Sequence, residues 1–592
     1  MNEKPKSIWK KSWQGLHWLR AWVMVVAATF FTVLIVTLLI SGGPRNFSDW
    51  WPTLVFTLVV SVVVATVFVG LWAFLRWLCS WHNFCRFLFG LACFITLIAL
   101  FYAEEDWRGW HAWNKFKHEW EAKGEHFDFA SMVPPPVPND QNFALTPVVA
   151  SSYETMLDKS GQEINPRNTN VVDRLSMITW RDNHWKHVPK SDGWLVGKKA
   201  DLVSWQDYFR SPPPNSVETN SFPVAPRPQS PADDILLALS KYDSAIEEFR
   251  QAAQLPYSRF PLTYDKDNPA GIMLPHLSAV KSCALALNLR ALAGLQNGRS
   301  ETAWADVKLS LRLADSIHTE PFLISQLVRI AIVQAALQPV WEGLAEHRWS
   351  AEQLMTFDAE LAKLDFVADY RLSMRGEMGH QGGIFDYLRQ NPAQLINLSG
   401  DFGGANPPLP GRIVSRLIPT GWFYQNQLHC ARMMVKYILP LVDVNRRIVS
   451  PEAVRRFGDA VGKETKRLTP YNMFERLLLP ALGNAARRFA YGQASVDLAR
   501  TAIALERYRL AHGEYPESLD ALAPQFIAKL PHDIINGQPL HYRRTDDGQF
   551  VLYSVGWNET DDGGEVALDG PFGKSGNVNI NKGDWVWRYP AK

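Results

Sequence analysis

Charge of one sign and recognisable catalytic motifs are what this sequence lacks most clearly. Lys and Arg total 61 against 59 Asp and Glu, so the net charge is only +2 at pH 7. Nucleic-acid binding draws on an excess of basic residues that neutralise phosphates. The balance therefore argues against a nucleic-acid partner.

Cysteine is also scarce, with five residues in 592. Cys79, Cys85 and Cys93 lie in or beside apolar segments, and Cys283 and Cys430 lie far apart in the rest of the chain. No pair has zinc-finger spacing. A disulfide between Cys283 and Cys430 is an option, but free, buried thiols are the more common state for such residues.

Motifs that carry catalysis are missing as well. The chain has no G-x-S-x-G, no H-E-x-x-H and no Rossmann glycine pattern. The GKS at 573–575 lacks the first glycine of a phosphate-binding loop, because Leu568 stands there. No residue is predicted to be catalytic.

Two groups of polar residues leave an enzymatic alternative open. His276, His318, Glu320 and His380 would form a metal or acid–base cluster if the fold brought them together, although scattered histidines are more often surface residues.

The second group is Arg375, Glu377 and His380 in RGEMGHQGG. It would serve a membrane-anchored envelope hydrolase with a site in the helical domain, and an ion-paired helix end explains the same residues equally well.

The N-terminal part is rich in long apolar runs. Three of them, near Ala21 to Ser41, Thr53 to Leu75 and Phe84 to Tyr102, are long enough to cross the roughly 30 Å hydrocarbon core of a bilayer as helices. Tryptophans near their ends suit the headgroup layer. Residues 1–103 are therefore predicted to be a membrane domain with three transmembrane helices.

Basic residues indicate the orientation of these helices. The segment before the first span holds most of those near it, whereas the first loop has only Arg45; they are Lys4, Lys6, Lys10, Lys11 and Arg20. Positive residues stay on the cytoplasmic side, and long domains translocate largely regardless of charge. We expect a bacterial inner-membrane protein with a cytoplasmic N-terminus and periplasmic residues after about 103.

The next two regions are predicted from proline content and helical periodicity. Residues 104–231 form a juxtamembrane helix and a Pro-rich extended region, with the aromatic face of the helix on the membrane surface or on the domain. Residues 232–495 form an α-helical domain of helical hairpins, either repeat-like or a generic bundle. Ser230, Ser300 and Ser350 are predicted N-caps, and Gln353 completes a capping box.

Two details of the helical domain follow from glycine and proline. GHQGG and SGDFGGANPPLPG, within 380–420, predict a long loop. A final helix is predicted from about Tyr471 to Ala511, with an interruption at Pro480.

Residues 496–592 carry a family resemblance. The stretch ARTAIALERYRLAHGEYPESLDAL, which starts at Ala499, resembles the junction of long helix and globular head in the major pseudopilin of type II secretion. The matching positions are Leu505, Tyr508, Arg509, Leu510, Gly513, Tyr515 and Pro516. Further along, Asp533, Gly537, Pro539 and Tyr542 resemble the family's hairpin, FVLYSVGWNETDDGG its closing strand with an acidic loop, and GDWVW its last segment.

The resemblance implies a small α+β C-terminal module and a calcium ion in its acidic loop. The implied ligands are the Leu552 and Val555 carbonyls and the side chains of Asn558, Asp561, Asp562 and Asp584. Oxygen donors in such a loop suit calcium, and a plain acidic turn is the alternative. A pseudopilin polymerises through an N-terminal helix with a prepilin cleavage site, which these spans lack, so the resemblance implies a head reused on another protein.

The whole chain also resembles bacterial membrane-anchored envelope proteins that share its Glu-Asp-Trp-Arg-Gly and Pro-Pro-Pro-Val-Pro segments, which implies no activity. The predicted fold class is a membrane α-helical N-terminus plus a mainly α exported domain with a small α+β C-terminal module. The predicted role is an envelope scaffold or interaction protein, with a place near a secretion machine as one option. The predicted partners are the lipid bilayer and envelope proteins.

Overall fold

A computed structural model describes residues 8–41, 50–150, 155–157, 163–166, 193–211, 222–262, 264, 269–395, 415–464, 466–467, 469–569 and 578–590. The chain divides into two compact units, Met1–Glu104 and Glu105–Lys592.

The first unit is helical. It contains α1 (Ile8–Ser41), α2 (Trp50–Leu78) and the first part of α3 (Trp81–Glu121). Each has an apolar stretch long enough to cross a membrane, and large apolar side chains along all three are exposed. A water-soluble surface rarely exposes so much contiguous apolar area, so these helices indicate membrane association. The three helices were predicted; their orientation stays a prediction.

Helices also dominate the second unit. After the end of α3 they are α4 (Pro147–Ala150), α5 (Leu202–Arg210), α6 (Pro231–Leu239), α7 (Asp243–Ala252), α8 (His276–Gln296), α9 (Ser300–Asp315), α10 (Leu323–Ala345), α11 (Ala351–Leu361), α12 (Phe366–Gln390), α13 (Thr420–Met433), α14 (Pro451–Glu464) and α15 (Met473–His512). α10 is apolar enough to span a membrane, but 61% of its apolar window is buried inside the unit. It is the centre of the core, against which α8, α9 and α15 pack.

The strands are short. They are β1 (Thr155–Leu157), β2 (Glu163–Pro166), β3 (Val442–Asp443), β4 (Ile448–Val449), β5 (His541–Arg544), β6 (Phe550–Ser554), β7 (Val566–Leu568), β8 (Val578–Gly583) and β9 (Trp585–Arg588). β5, β6 and β9 form an antiparallel sheet in that order, in which Leu552 lies opposite Tyr542 and Trp587. β6 is therefore the central strand, and its prediction as the closing strand was wrong. Its five residues are all buried, as a central strand requires.

Two of the three predicted N-caps are confirmed. The Ser230 hydroxyl accepts a hydrogen bond from the backbone of Asp233, and Ser350 forms a complete capping box with Gln353. Ser300 is instead the first residue of α9, after Arg299 at the cap. Gly298, which follows the C-cap Asn297 of α8, adopts φ +70°, so the chain turns between the two helices at Gly298 and Arg299.

The loop predicted at GHQGG was wrong, because α12 continues through it to Gln390. The glycines instead allow close backbone approach. A Cβ atom on Gly376 would collide with the Pro321 carbonyl, and one on Gly382 would lie 2.4 Å from the Phe127 carbonyl oxygen. SGDFGGANPPLPG, residues 399–411, lies outside the described residues.

The interruption predicted at Pro480 was also wrong, since α15 is continuous from Met473 to His512. A proline removes one backbone donor, which a long helix tolerates when its neighbours hold it in place. The same helix runs across the predicted boundary between residues 495 and 496.

The C-terminal strands share the core of the helical part. The Trp587 ring lies 5.2 Å from Trp194, Tyr491 of α15 packs on Trp585 at 5.1 Å, and the Trp341 indole of α10 donates to the Arg588 carbonyl at 3.1 Å. The α+β segment is thus one layer of the larger unit.

Two open points of the sequence are resolved by burial. Cys283 and Cys430 are both buried and are not joined in a disulfide. Trp113 on the juxtamembrane part of α3 is buried against Phe127, with the rings 5.5 Å apart, whereas Trp110 is 50% exposed. Most of the aromatic face therefore packs on the domain.

Candidate functional site

The polar group in RGEMGHQGG is not gathered at one point, because Arg375, Glu377 and His380 each contact a different part of the structure. Arg375 makes a bidentate ion pair with Glu125, at 2.8 and 2.7 Å. The Glu377 carboxylate accepts from the first backbone N–H of α10, and burial raises its pKa. The His380 ring contacts a backbone carbonyl of a neighbouring turn at 2.7 Å. These contacts hold helix ends together and leave the three groups without a shared focus.

The second polar group is gathered only in part. His276 and Glu320 lie 2.7 Å apart in the interior, and the Ser325 hydroxyl donates to the same carboxylate. His318 is 47% exposed beside an aspartate, and His380 belongs to the contacts described above. The buried pair joins the start of α8 to the turn between α9 and α10, with side-chain exposures of 0% and 4%.

The acidic C-terminal loop is organised around Asp584. This buried carboxylate accepts from the backbone N–H groups of Asp562, at 3.2 Å, and Gly564, at 2.7 Å. The Asn558 amide donates to the Asp562 carboxylate at 2.8 Å. Burial is the largest effect on Asp584 and raises its pKa.

The remaining predicted calcium ligands differ in their surroundings. Asp561 accepts from the Tyr553 hydroxyl at 3.0 Å and is exposed. Leu552 is central in β6, and Val555 donates its N–H to the buried Asp533 carboxylate at 2.9 Å. The loop therefore closes through protein donors, and calcium stays a prediction.

An apolar pocket lies elsewhere in the larger unit. Its volume is about 360 Å³, within the usual range for ligand sites. The lining contains no charged side chain; it consists of Leu395, Ile418, Trp422, Phe423, Asn426, Thr469, Pro470, Met473 and Phe474. Such a surface suits an apolar guest, because water gains little from contact with it.

Polar contacts fix one wall of this pocket. The Trp422 indole donates to the Glu105 carboxylate at 3.0 Å, and the Tyr471 hydroxyl lies 3.1 Å from the same group. Asp106 accepts from the backbone N–H of Gly421 at 2.6 Å, at the start of α13. The pocket wall is thus tied to the juxtamembrane part of α3 within this unit.

Sequence reasoning missed the pocket. The lining residues come from the turn after α12, from the beginning of α13 and from the turn that leads into α15. These three segments are distant in sequence. The only local signal was the aromatic run in TGWFYQNQ. It predicted a helix but did not indicate that the aromatic side chains line a pocket.

No model of a known protein family matches the chain, and no curated protein or solved structure shows a match to it. The resemblance to the pseudopilin head accordingly stays a prediction.

Proposed function

We propose that this protein is a membrane-anchored interaction protein of the bacterial cell envelope, whose larger unit is exported and holds an apolar segment of a partner protein in the pocket. The observation that carries the proposal is a pocket of about 360 Å³ without a charged side chain in its lining. Apolar anchors inserted into such pockets supply most of the binding energy in protein interfaces.

The size of the pocket supports a peptide segment. A space of this volume holds a few apolar side chains, and burying each one contributes roughly 1.5–3 kcal/mol. Met473 at its edge is 40% exposed, so the pocket is accessible from solvent. Methionine adapts its shape to different apolar partners.

Site-specific photocrosslinking in living cells tests the proposal. A photoreactive residue at Met473 should capture a partner, whereas the same residue at Met355, which is also exposed but lies on α11, should not. Equal capture at both positions would argue for random contact.

Filling the pocket provides the second arm. Ile418→Trp should abolish the Met473 crosslink, because Ile418 lines the pocket, and Leu417→Trp, at an exposed neighbouring position, should leave it intact. A crosslink that survives Ile418→Trp would place the partner outside the pocket and contradict the proposal.

Export of the larger unit needs its own measurement. Alkaline phosphatase fused after Lys592 should be active and a cytoplasmic reporter inactive, because the former folds only outside the cytoplasm. The reverse pattern would place the larger unit in the cytoplasm.

A further inference from the structure

Three helix ends bring one histidine and two glutamates together. His429 lies on α13, Glu464 is the last residue of α14, and Glu475 lies in the first turn of α15. One ligand atom from each lies within 4.8 Å of the other two. In the part of the chain that the structure describes, no other three His, Cys, Asp or Glu side chains meet this condition.

Glu475 gives this cluster its significance. Its side chain is 0% exposed, and neither carboxylate oxygen has a hydrogen-bond partner among the described residues. Nδ1 of His429 lies 3.8 Å from one of the two oxygens. A buried carboxylate without donors is costly unless a cation or a proton neutralises it.

Two asparagines hold the three helix ends in position. Oδ1 of the Asn426 side chain accepts from the Phe474 N–H at 3.3 Å, and its Nδ2 donates to the Pro470 carbonyl at 2.6 Å. His429 lies one turn beyond Asn426 on the same face of α13, and therefore faces the start of α15. The Asn472 amide donates to the Glu464 carbonyl at 2.9 Å, which ties the end of α14 to the same turn.

We propose that His429, Glu464 and Glu475 bind one divalent transition-metal ion of the Zn²⁺ class. An imidazole nitrogen with two carboxylates suits such ions, whereas Mg²⁺ and Ca²⁺ take oxygen ligands. Ligands about 2.1 Å from zinc lie roughly 3.4 Å apart in a tetrahedron, so the side chains need to close by about 1 Å. Three protein ligands leave a further coordination position open.

The surroundings fit this assignment. Glu464 is exposed and His429 is half-buried, which provides a path for the ion. Arg432 offsets part of the charge of the two carboxylates, so the site retains a negative balance.

Zinc titration of the full chain tests the proposal. The detergent-purified, tag-free protein is treated with EDTA, then titrated with ZnCl₂, MgCl₂ or CaCl₂ while bound metal and melting temperature are measured. We expect one zinc per chain and a rise in melting temperature with zinc that MgCl₂ does not produce and that is larger than the rise with CaCl₂. Glu475→Gln and His429→Gln should each weaken zinc binding at least about tenfold.

Glu452→Gln is the matched control, because Glu452 is an exposed glutamate on the same helix as Glu464. It should bind zinc as the unaltered protein does. Glu475→Gln keeps the shape and removes the buried charge, so its melting temperature in EDTA should equal or exceed that of the unaltered protein. Zinc binding that is absent, or that Glu475→Gln and His429→Gln leave unchanged, would overturn the site, while the pocket proposal would stand or fall by its own crosslink.

Discussion

The two ends of α15 place buried glutamates in opposite circumstances. Glu475 lies at the N-terminal end, where the helix dipole favours a negative charge, and Glu506 lies near the C-terminal end, where it does not. Nevertheless, the pKa of Glu475 is raised to about 7, mainly by burial, and that of Glu506 is lowered. Direct donors therefore outweigh the dipole.

Glu506 has the donors that Glu475 lacks. Arg509 binds both carboxylate oxygens at 2.9 and 2.7 Å, His347 contacts one at 2.9 Å, and the Tyr515 hydroxyl donates to the other at 2.9 Å. Burial alone would raise the pKa of Glu506, but the hydrogen bonds from Arg509 and His347 prevail. At one end of the helix, residues of the chain supply the hydrogen bonds to the buried glutamate, and the other end is where we propose a metal ion.

The largest expected effect on stability is at Glu506. Glu506→Gln removes the charge that Arg509 and His347 face, and breaking such a buried group should lower the free energy of unfolding by about 3 kcal/mol or more. Denaturant titration of the purified full chain measures this. Glu514→Gln removes an exposed glutamate paired with Arg544 and should cost less than about 1 kcal/mol. Equal effects would remove the contrast between the two ends.

Asp497, between the two ends, provides an intermediate case. Gln493 donates one hydrogen bond to it at 3.0 Å, and Arg447, Arg500 and His532 face it at longer range. Burial still raises its pKa to about 6, from 3.8. As the pH rises, the unfolded chain therefore loses this proton at a lower pH than the folded protein does. The contribution of Asp497 to the free energy of unfolding declines as the pH rises from about 4 to about 6.

Asp497→Asn should remove that decline. The free energy of unfolding of the variant, relative to the unaltered protein, should rise by on the order of 2 kcal/mol between about pH 4 and pH 7. Denaturant titrations at both pH values measure the difference. A constant difference would mean that Asp497 titrates alike in the folded and unfolded chain, and would weaken the link between donor number and pKa.

The features that were predicted correctly from the sequence are those that residues close to each other in the chain determine. The caps at Ser230 and Ser350 and the strand Phe550–Ser554 depend on local patterns. Gly382 in GHQGG misled because this glycine is required by a close contact with distant backbone, the Phe127 carbonyl oxygen.

The sequence did not predict the candidate sites for the same reason, because distant parts of the chain form them. His429 and Glu475 are separated by a whole helix and lie in ordinary helical patterns, so no spacing rule connects them. Glu377 and His380, three residues apart in the sequence, were considered as a polar cluster, but their side chains contact different parts of the structure. A buried group without donors is visible only after the fold has closed around it.

The smallest expected effect is at the acidic C-terminal loop. Calcium should raise the melting temperature of the full chain by only about 1–2 °C, because Asp584 already accepts two backbone hydrogen bonds and Asp561 one from Tyr553. Asp562→Ala should abolish this rise, and Asp546→Ala, at an exposed turn outside the loop, should preserve it. A rise in melting temperature that is larger with calcium than with zinc would contradict the comparison. The carboxylates that already accept hydrogen bonds from the protein would then gain more from a cation than Glu475, which accepts none from the described residues.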